Sequence, residues 1–131
     1  MPDTYRAKLL KLVGNELDAG DFAHRDHVGV AYEALASHDF AEAVHTVFSG
    51  IKALAARAGA PEKANATISW AFMSLIAERM NTTPNTNAED FLAGNPDLCQ
   101  GNAIAEWYSP ARLRSDLART VALLPDRTPT A

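Results

Sequence analysis

Two histidines three residues apart, His24 and His27, are the residues whose type and spacing most suggest chemistry. Imidazole changes its charge near neutral pH, so a close pair can pass a proton or share a metal ion. Asp26 lies between them and can orient one ring or cap the helix that follows. The same spacing is also typical of a purely structural arrangement, in which His24 packs at the start of the helix and His27 bonds a backbone carbonyl.

A metal site would need a third and usually a fourth ligand, and the sequence offers few. His45, on the flank of a predicted helix, is the candidate for a third imidazole beside His24 and His27. Cys99 is the single cysteine, and a lone cysteine is usually a small buried apolar residue. We therefore predict no cofactor, with a metal ion held by the histidines as the alternative.

Asn65 and Ser69 lie one helical turn apart in the segment ANATISWAFMSLIA (64–77), which contains no charged residue. A helix that is apolar around most of its circumference is buried by its neighbours, so residues 64–80 are predicted to form a central buried helix. Asn65 can be the N-cap of this helix or an amide that faces the histidines and binds a ligand. Thr67 is predicted to point elsewhere and bond back to the helix backbone.

Four further side chains are candidates for substrate binding. Tyr32, Trp70 and Tyr108 can form the aromatic wall of a pocket, although aromatic residues in a small helical domain are also typical of its core. Arg79 ends the uncharged segment and can bind an anionic group, or it can simply be a solvated helix terminus.

Capping patterns and apolar spacing predict the elements that position these residues. Asp39, Asn87 and Ser109 each match the pattern of a residue that begins a helix. No stretch alternates apolar and polar residues as a strand does. We predict an all-α single domain over residues 1–125, a compact bundle of about six helices around the central one, followed by a disordered tail over 126–131.

Composition excludes several classes of function. The chain has 131 residues, enough for one domain, and its net charge of −4 argues against nucleic acid as a partner. No apolar run approaches the ~20 residues that span a membrane, and no signal peptide is recognisable. A single cysteine is compatible with a reducing compartment. We predict a cytoplasmic protein whose partner is a small molecule, either a monomer or a homodimer.

Five segments of the chain resemble a family of small, uncharacterised, all-helical bacterial proteins. They are FAHRDHV (22–28), GAP (59–61), TISWAF (67–72), FLAGNPDL (91–98) and YSPARL (108–113). The resemblance extends over about residues 20–115. Members of that family begin the central helix with Tyr-His-Glu-Thr, which together with the earlier histidine pair implies a metal or acid–base site. This chain has ANAT at 64–67, so the third imidazole and the carboxylate are absent.

These patterns predict a small-molecule enzyme of bacterial secondary metabolism that catalyses a proton transfer, a cyclisation or an elimination. His24 and His27 would be the acid–base groups, with Asn65 beside them. Nothing in the sequence matches a nucleotide, flavin or phosphate cradle. The alternatives are a non-catalytic protein that sequesters a small molecule for self-protection, and a metal-dependent enzyme with a histidine-based site. A protein that presents a helix face to a partner is a third possibility.

Overall fold

In the computed structural model, residues 4–82, 85–100 and 102–128 are described, and every regular element within these ranges is a helix. The α-helices are α1 (Thr4–Val13), α2 (His24–Ser37), α3 (Phe40–Arg57), α4 (Ala66–Thr82), α5 (Ala88–Gly94), α6 (Pro110–Arg114) and α7 (Asp116–Thr120). Short 3-10 helices occupy Ala19–Asp21, Pro61–Lys63, Pro96–Gln100 and Ala103–Glu106. The predicted all-α fold is confirmed. No helix in the described ranges combines the length and the apolar character needed to cross a membrane.

The helix starts follow from local capping chemistry. The side chains of Asp39, Asn87 and Ser109 each accept a hydrogen bond from the backbone amide three residues further on, at 2.8, 2.8 and 3.2 Å. Each bond satisfies one of the amides that a helix leaves without an internal partner in its first turn. The three predicted helix starts are therefore confirmed.

Helix α2 occupies the centre of the bundle. It packs against α1, α3, α4, α5 and the 3-10 helix Pro96–Gln100. Its middle is buried over the continuous run from Val28 to Tyr32. Gly29 allows α1 to approach closely, because the ring of Tyr5 lies where a larger residue would place its side chain.

Helix α4 is more exposed to solvent than the central buried helix that the sequence predicted for residues 64–80. Phe72, Met73 and Ile76 are buried, but Trp70 keeps 41% of its surface exposed and Ser74 is also exposed. The absence of charge in residues 64–77 predicted burial on all sides, yet serine and the indole ring can face water without a charged neighbour. The helix that the others surround is α2, not α4.

The first turn of α4 is hydrogen-bonded to α7 and to the residues that follow α7. Thr67 is 1% exposed, and its hydroxyl oxygen lies 3.0 Å from the carbonyl of Ala118 and 2.7 Å from that of Val121. The same oxygen accepts a hydrogen bond from the amide of Leu123 at 3.0 Å. The prediction that Thr67 bonds back to its own helix was wrong, because these carbonyls and this amide come from a different part of the chain.

The beginning of the predicted disordered tail is hydrogen-bonded. The carboxylate of Asp126 accepts from the backbone amide and from the hydroxyl of Ser109, at 2.7 and 2.6 Å. The amide of Arg127 donates to the carbonyl of Trp107 at 3.0 Å. The described part of the tail is thus held against the start of α6, and residues 129–131 of the prediction lie outside the described residues.

Candidate functional site

A cavity of about 180 Å³ lies between α2, α3 and α4. Most of its wall is apolar and includes Val28, Ile51, Ile68, Phe72, Met73 and Ile76. Its polar residues are His24, His27, Lys63, Asn65 and Ser69. The structure therefore brings together the histidine pair and the two polar residues of the first turns of α4, four of the residues that the sequence predicted to share a site.

The ring of His24 is oriented by a backbone carbonyl. Its Nε2 lies 2.9 Å from the carbonyl oxygen of Leu98, which belongs to the 3-10 helix Pro96–Gln100. Because a carbonyl can only accept, Nε2 carries the hydrogen, and the lone pair of the neutral ring is on Nδ1. Phe72 contacts the same ring edge-on, with 5.2 Å between the ring centroids. The tautomer and the orientation of His24 are thus set by its surroundings.

His27 is held in its neutral form. Its ring stacks on Phe22 at a centroid distance of 4.0 Å and lies 6.0 Å from the ring of His24. Burial lowers the pKa of His27 to about 4, the charge of His24 adds to this effect, and Asp26 opposes it. Within the described ranges no hydrogen bond reaches its ring nitrogens. A neutral imidazole is therefore available to hydrogen-bond a molecule in the cavity.

Asp26 is engaged away from the two rings. One carboxylate oxygen accepts from the ammonium of Lys8 at 2.9 Å, and the other accepts from the amide of Ala23 at 2.9 Å. Of the two predicted roles of Asp26, orienting a histidine or capping the helix, the structure assigns the second. The orienting acceptor for His24 is a carbonyl that no short sequence pattern points to.

Asn65 and Ser69 contribute to the cavity in different ways. The side-chain oxygen of Asn65 caps α4 by accepting from the amide of Ile68 at 2.9 Å, and its Nδ2 donates to the carbonyl of Leu113 at 2.8 Å. One amide hydrogen of Asn65 is left for a ligand. The hydroxyl of Ser69 is half-buried and makes no hydrogen bond to any described residue. It is a free donor and acceptor on the cavity wall.

The two predicted tyrosines are not part of the cavity wall. The hydroxyl of Tyr32 donates to the side-chain oxygen of Asn85 at 2.6 Å, and that of Tyr108 donates to the carbonyl of Leu123 at 2.8 Å. Both rings are buried, and burial raises the pKa of both phenols. Their observed contacts are structural ones: Tyr32 joins α2 to the loop before α5, and Tyr108, which lies just before α6, joins that part of the chain to the segment that follows α7.

Trp70 and Arg79 also lie outside the cavity. Trp70 packs edge-on against Phe40 on the surface, with 6.1 Å between centroids. The guanidinium of Arg79 donates to the carboxylate of Asp97 at 2.8 and 3.2 Å and to the side-chain oxygen of Asn95 at 2.8 Å. The cation that the sequence predicted for binding an anionic ligand is therefore paired with a carboxylate of its own chain.

Lys63 is the polar residue of the cavity that the sequence patterns did not predict. It ends the 3-10 helix Pro61–Lys63, and it is both exposed to solvent and part of the cavity lining, as expected of a residue at the cavity's open end. Within residues 4–82, 85–100 and 102–128 its ammonium group makes no ion pair or hydrogen bond. The only sequence signal was its position two residues before Asn65, and a lysine in a turn is usually just solvated.

The three histidines proposed as metal ligands do not converge. His45 is exposed on α3 and lines a separate surface depression beside Leu12 and Val13. Among the described residues, no group of three or more histidine, cysteine, aspartate or glutamate side chains is close enough to hold a metal ion. His24 and His27 are the two imidazoles that share one cavity.

No family model, no curated protein and no solved structure matches this chain. The resemblance to the uncharacterised helical bacterial family over residues 20–115 therefore stays a prediction. The functional conclusion depends on the geometry of the cavity.

Proposed function

We propose that the protein is a cytoplasmic small-molecule enzyme of bacterial secondary metabolism that transfers a proton within this cavity. The observation that supports the proposal most is the hydrogen bond from His24 to the carbonyl of Leu98. It fixes the ring in the tautomer whose lone pair is on Nδ1, which is how enzymes commonly prepare a histidine base. The apolar wall around it keeps competing water away from a reacting group.

In the proposed step, Nδ1 of His24 removes a proton from a carbon next to a carbonyl group of the substrate. The electron pair of the broken C–H bond moves to the carbonyl oxygen, which becomes an enolate. His27 is neutral because its pKa is about 4, so it donates a hydrogen bond to this oxygen without giving up its proton. Return of the proton from His24 to another carbon gives an isomer, and loss of a leaving group gives an elimination product.

Ser69 and Asn65 have supporting roles in this proposal. The unpartnered hydroxyl of Ser69 and the remaining amide hydrogen of Asn65 orient the substrate against the histidines. The partner is a small molecule rather than nucleic acid, consistent with the net charge of −4.

A general base in an apolar cavity can be tested with 5-nitrobenzisoxazole, whose ring opens when a base removes its single activated C–H proton. The N–O bond breaks, and the product is a coloured cyanophenolate. We expect saturable turnover by the wild type and a loss of about 100-fold in the His24→Gln variant, the usual contribution of a general base. His45→Gln, at an exposed position of α3, is the matched control and should keep the wild-type rate. Equal rates for the wild type and His24→Gln would overturn the assignment.

A non-catalytic binding protein is the second candidate, and the low pKa of His27 favours it. An imidazole with a pKa of about 4 carries no proton that it can donate as an acid at neutral pH, and none of the described carboxylates lines the cavity to take that role. The same probe separates the two candidates. Binding of the benzisoxazole without turnover, with equal affinity in His24→Gln, is the result expected of a protein that only sequesters its ligand.

A further inference from the structure

We infer that the cavity takes a small, mostly apolar molecule that carries one anionic group, such as a carboxylate, and that Lys63 binds this group. The inference rests on the proposed function, because it names the class of molecule on which His24 would act.

The dimensions and the wall of the cavity limit the body of the ligand. Its volume of about 180 Å³ slightly exceeds that of an engineered cavity of ~150 Å³ that holds benzene, so it suits a molecule of about ten non-hydrogen atoms. Side chains such as Val28, Ile51, Ile68 and Met73 offer no hydrogen-bonding group. A ligand with several polar groups would lose hydrogen bonds to water without replacing them, which costs free energy for each group.

The ionisable groups of the cavity are all basic. Among the described residues they are His24, His27 and Lys63, and no described aspartate or glutamate lines the wall. Asp26 and Glu62, the acidic residues that adjoin these basic groups in the sequence, do not neutralise the positive charge of the cavity. Asp26 is paired with Lys8, and Glu62 is exposed without lining the cavity. An anionic ligand therefore meets a favourable charge and a cationic ligand does not.

Lys63 is placed to bind the anionic group at the solvent-facing end. Its ammonium makes no ion pair within the described part of the chain, so a ligand carboxylate would not have to displace a partner. By contrast, Arg79 is already paired with Asp97. A charge at the open end also keeps partial hydration, so the carboxylate is bound without the full cost of burying an ion.

Binding of benzoate and of its neutral analogue benzamide, measured by chemical-shift titration of the labelled protein, tests the inference. We expect the wild type to bind benzoate about threefold to fivefold more tightly than benzamide, the usual strength of a partly exposed ion pair. The preference should disappear in Lys63→Met and return in Lys63→Arg. Lys52→Met removes the same charge from an exposed position on α3 outside the cavity and should keep the preference.

The remaining outcomes separate this inference from the proposed function. Equal affinity for the two probes in the wild type, with His24-dependent ring opening of the benzisoxazole, overturns the anionic ligand and leaves the proton-transfer proposal standing. A benzoate preference without ring opening supports the anionic ligand and overturns the enzyme. Failure of both probes to bind a folded protein overturns the cavity as a ligand site, and with it both proposals.

Discussion

Acidification should destabilise this protein well above the pH range in which its carboxylates titrate, and His27 should be the cause. The unfolded chain has an ordinary histidine pKa of 6.5 at this position, whereas burial lowers the pKa in the folded state to about 4. Between these two values the unfolded state binds more protons than the folded state. Stability therefore rises with pH across this window and is lost as the pH falls from about 6.5 to about 4.

The size of the effect follows from the two pKa values. At pH 5 only about one unfolded chain in thirty keeps this imidazole neutral, whereas about nine in ten folded molecules do, so folding loses about 2 kcal/mol relative to neutral pH. Below pH 4 the loss approaches about 3 kcal/mol. That is a sizeable part of the 5 to 15 kcal/mol that is typical of a domain.

Urea unfolding followed by circular dichroism at pH 7.5, 6 and 5, at constant ionic strength, measures this loss. We expect the free energy of unfolding of the wild type to fall by about 2 kcal/mol between pH 7.5 and 5. His27→Gln cannot titrate and should show a much smaller fall, whatever its stability at pH 7.5. His45→Gln is the control for loss of an exposed histidine. The reasoning is refuted if His27→Gln retains the full wild-type fall.

Three further predictions concern residues of α2 and α4, two of the helices that line the cavity. Thr67→Val should lower the free energy of unfolding by about 2 kcal/mol, because buried partners of the hydroxyl lose their hydrogen bonds, whereas Thr67→Ser should be much milder in the same urea titration. Gly29→Ala should cost about 1–3 kcal/mol in thermal unfolding, because the added methyl collides with the ring of Tyr5. Gly94→Ala, with open space around it, is its control, and equal losses in the two would contradict the packing argument. Trp70→Ala should leave benzoate affinity unchanged, and a clear loss would place Trp70 at the cavity.

The sequence predicted well what is decided locally. The caps at Asp39, Asn87 and Ser109 were recognisable because a cap needs only one side chain and an amide three residues away. The meeting of the histidines with the first turns of α4 was also predicted, since both carry polar residues beside apolar ones. The capping patterns lie within a few residues of one another, so tertiary packing does not alter them. The histidines and the first turns of α4 are about forty positions apart, so their meeting was predicted only from the polar residues that each segment carries.

What the sequence could not predict depends on contacts between distant parts of the chain. Residues 64–77 carry no charge and so gave no charged face from which to judge the orientation of α4, and the exposure of Trp70 was missed. Arg79 was a reasonable anion-binding residue until Asp97, eighteen positions later, came into contact with it. The carbonyl of Leu98 that orients His24 lies seventy-four positions away. Backbone carbonyls are the same in every residue, so no sequence pattern marks the one that matters.

The hydroxyl of Thr67 has a consequence for how the protein is made. Its partners at Ala118, Val121 and Leu123 lie more than fifty positions later in the chain. While the ribosome is still translating that stretch, the first turn of α4 has emerged without these partners, and the wall that carries Ser69 packs on α2 and α3 without being fixed at its start. A nascent chain arrested before Leu123 should therefore be unable to retain a ligand, however well its earlier helices have formed.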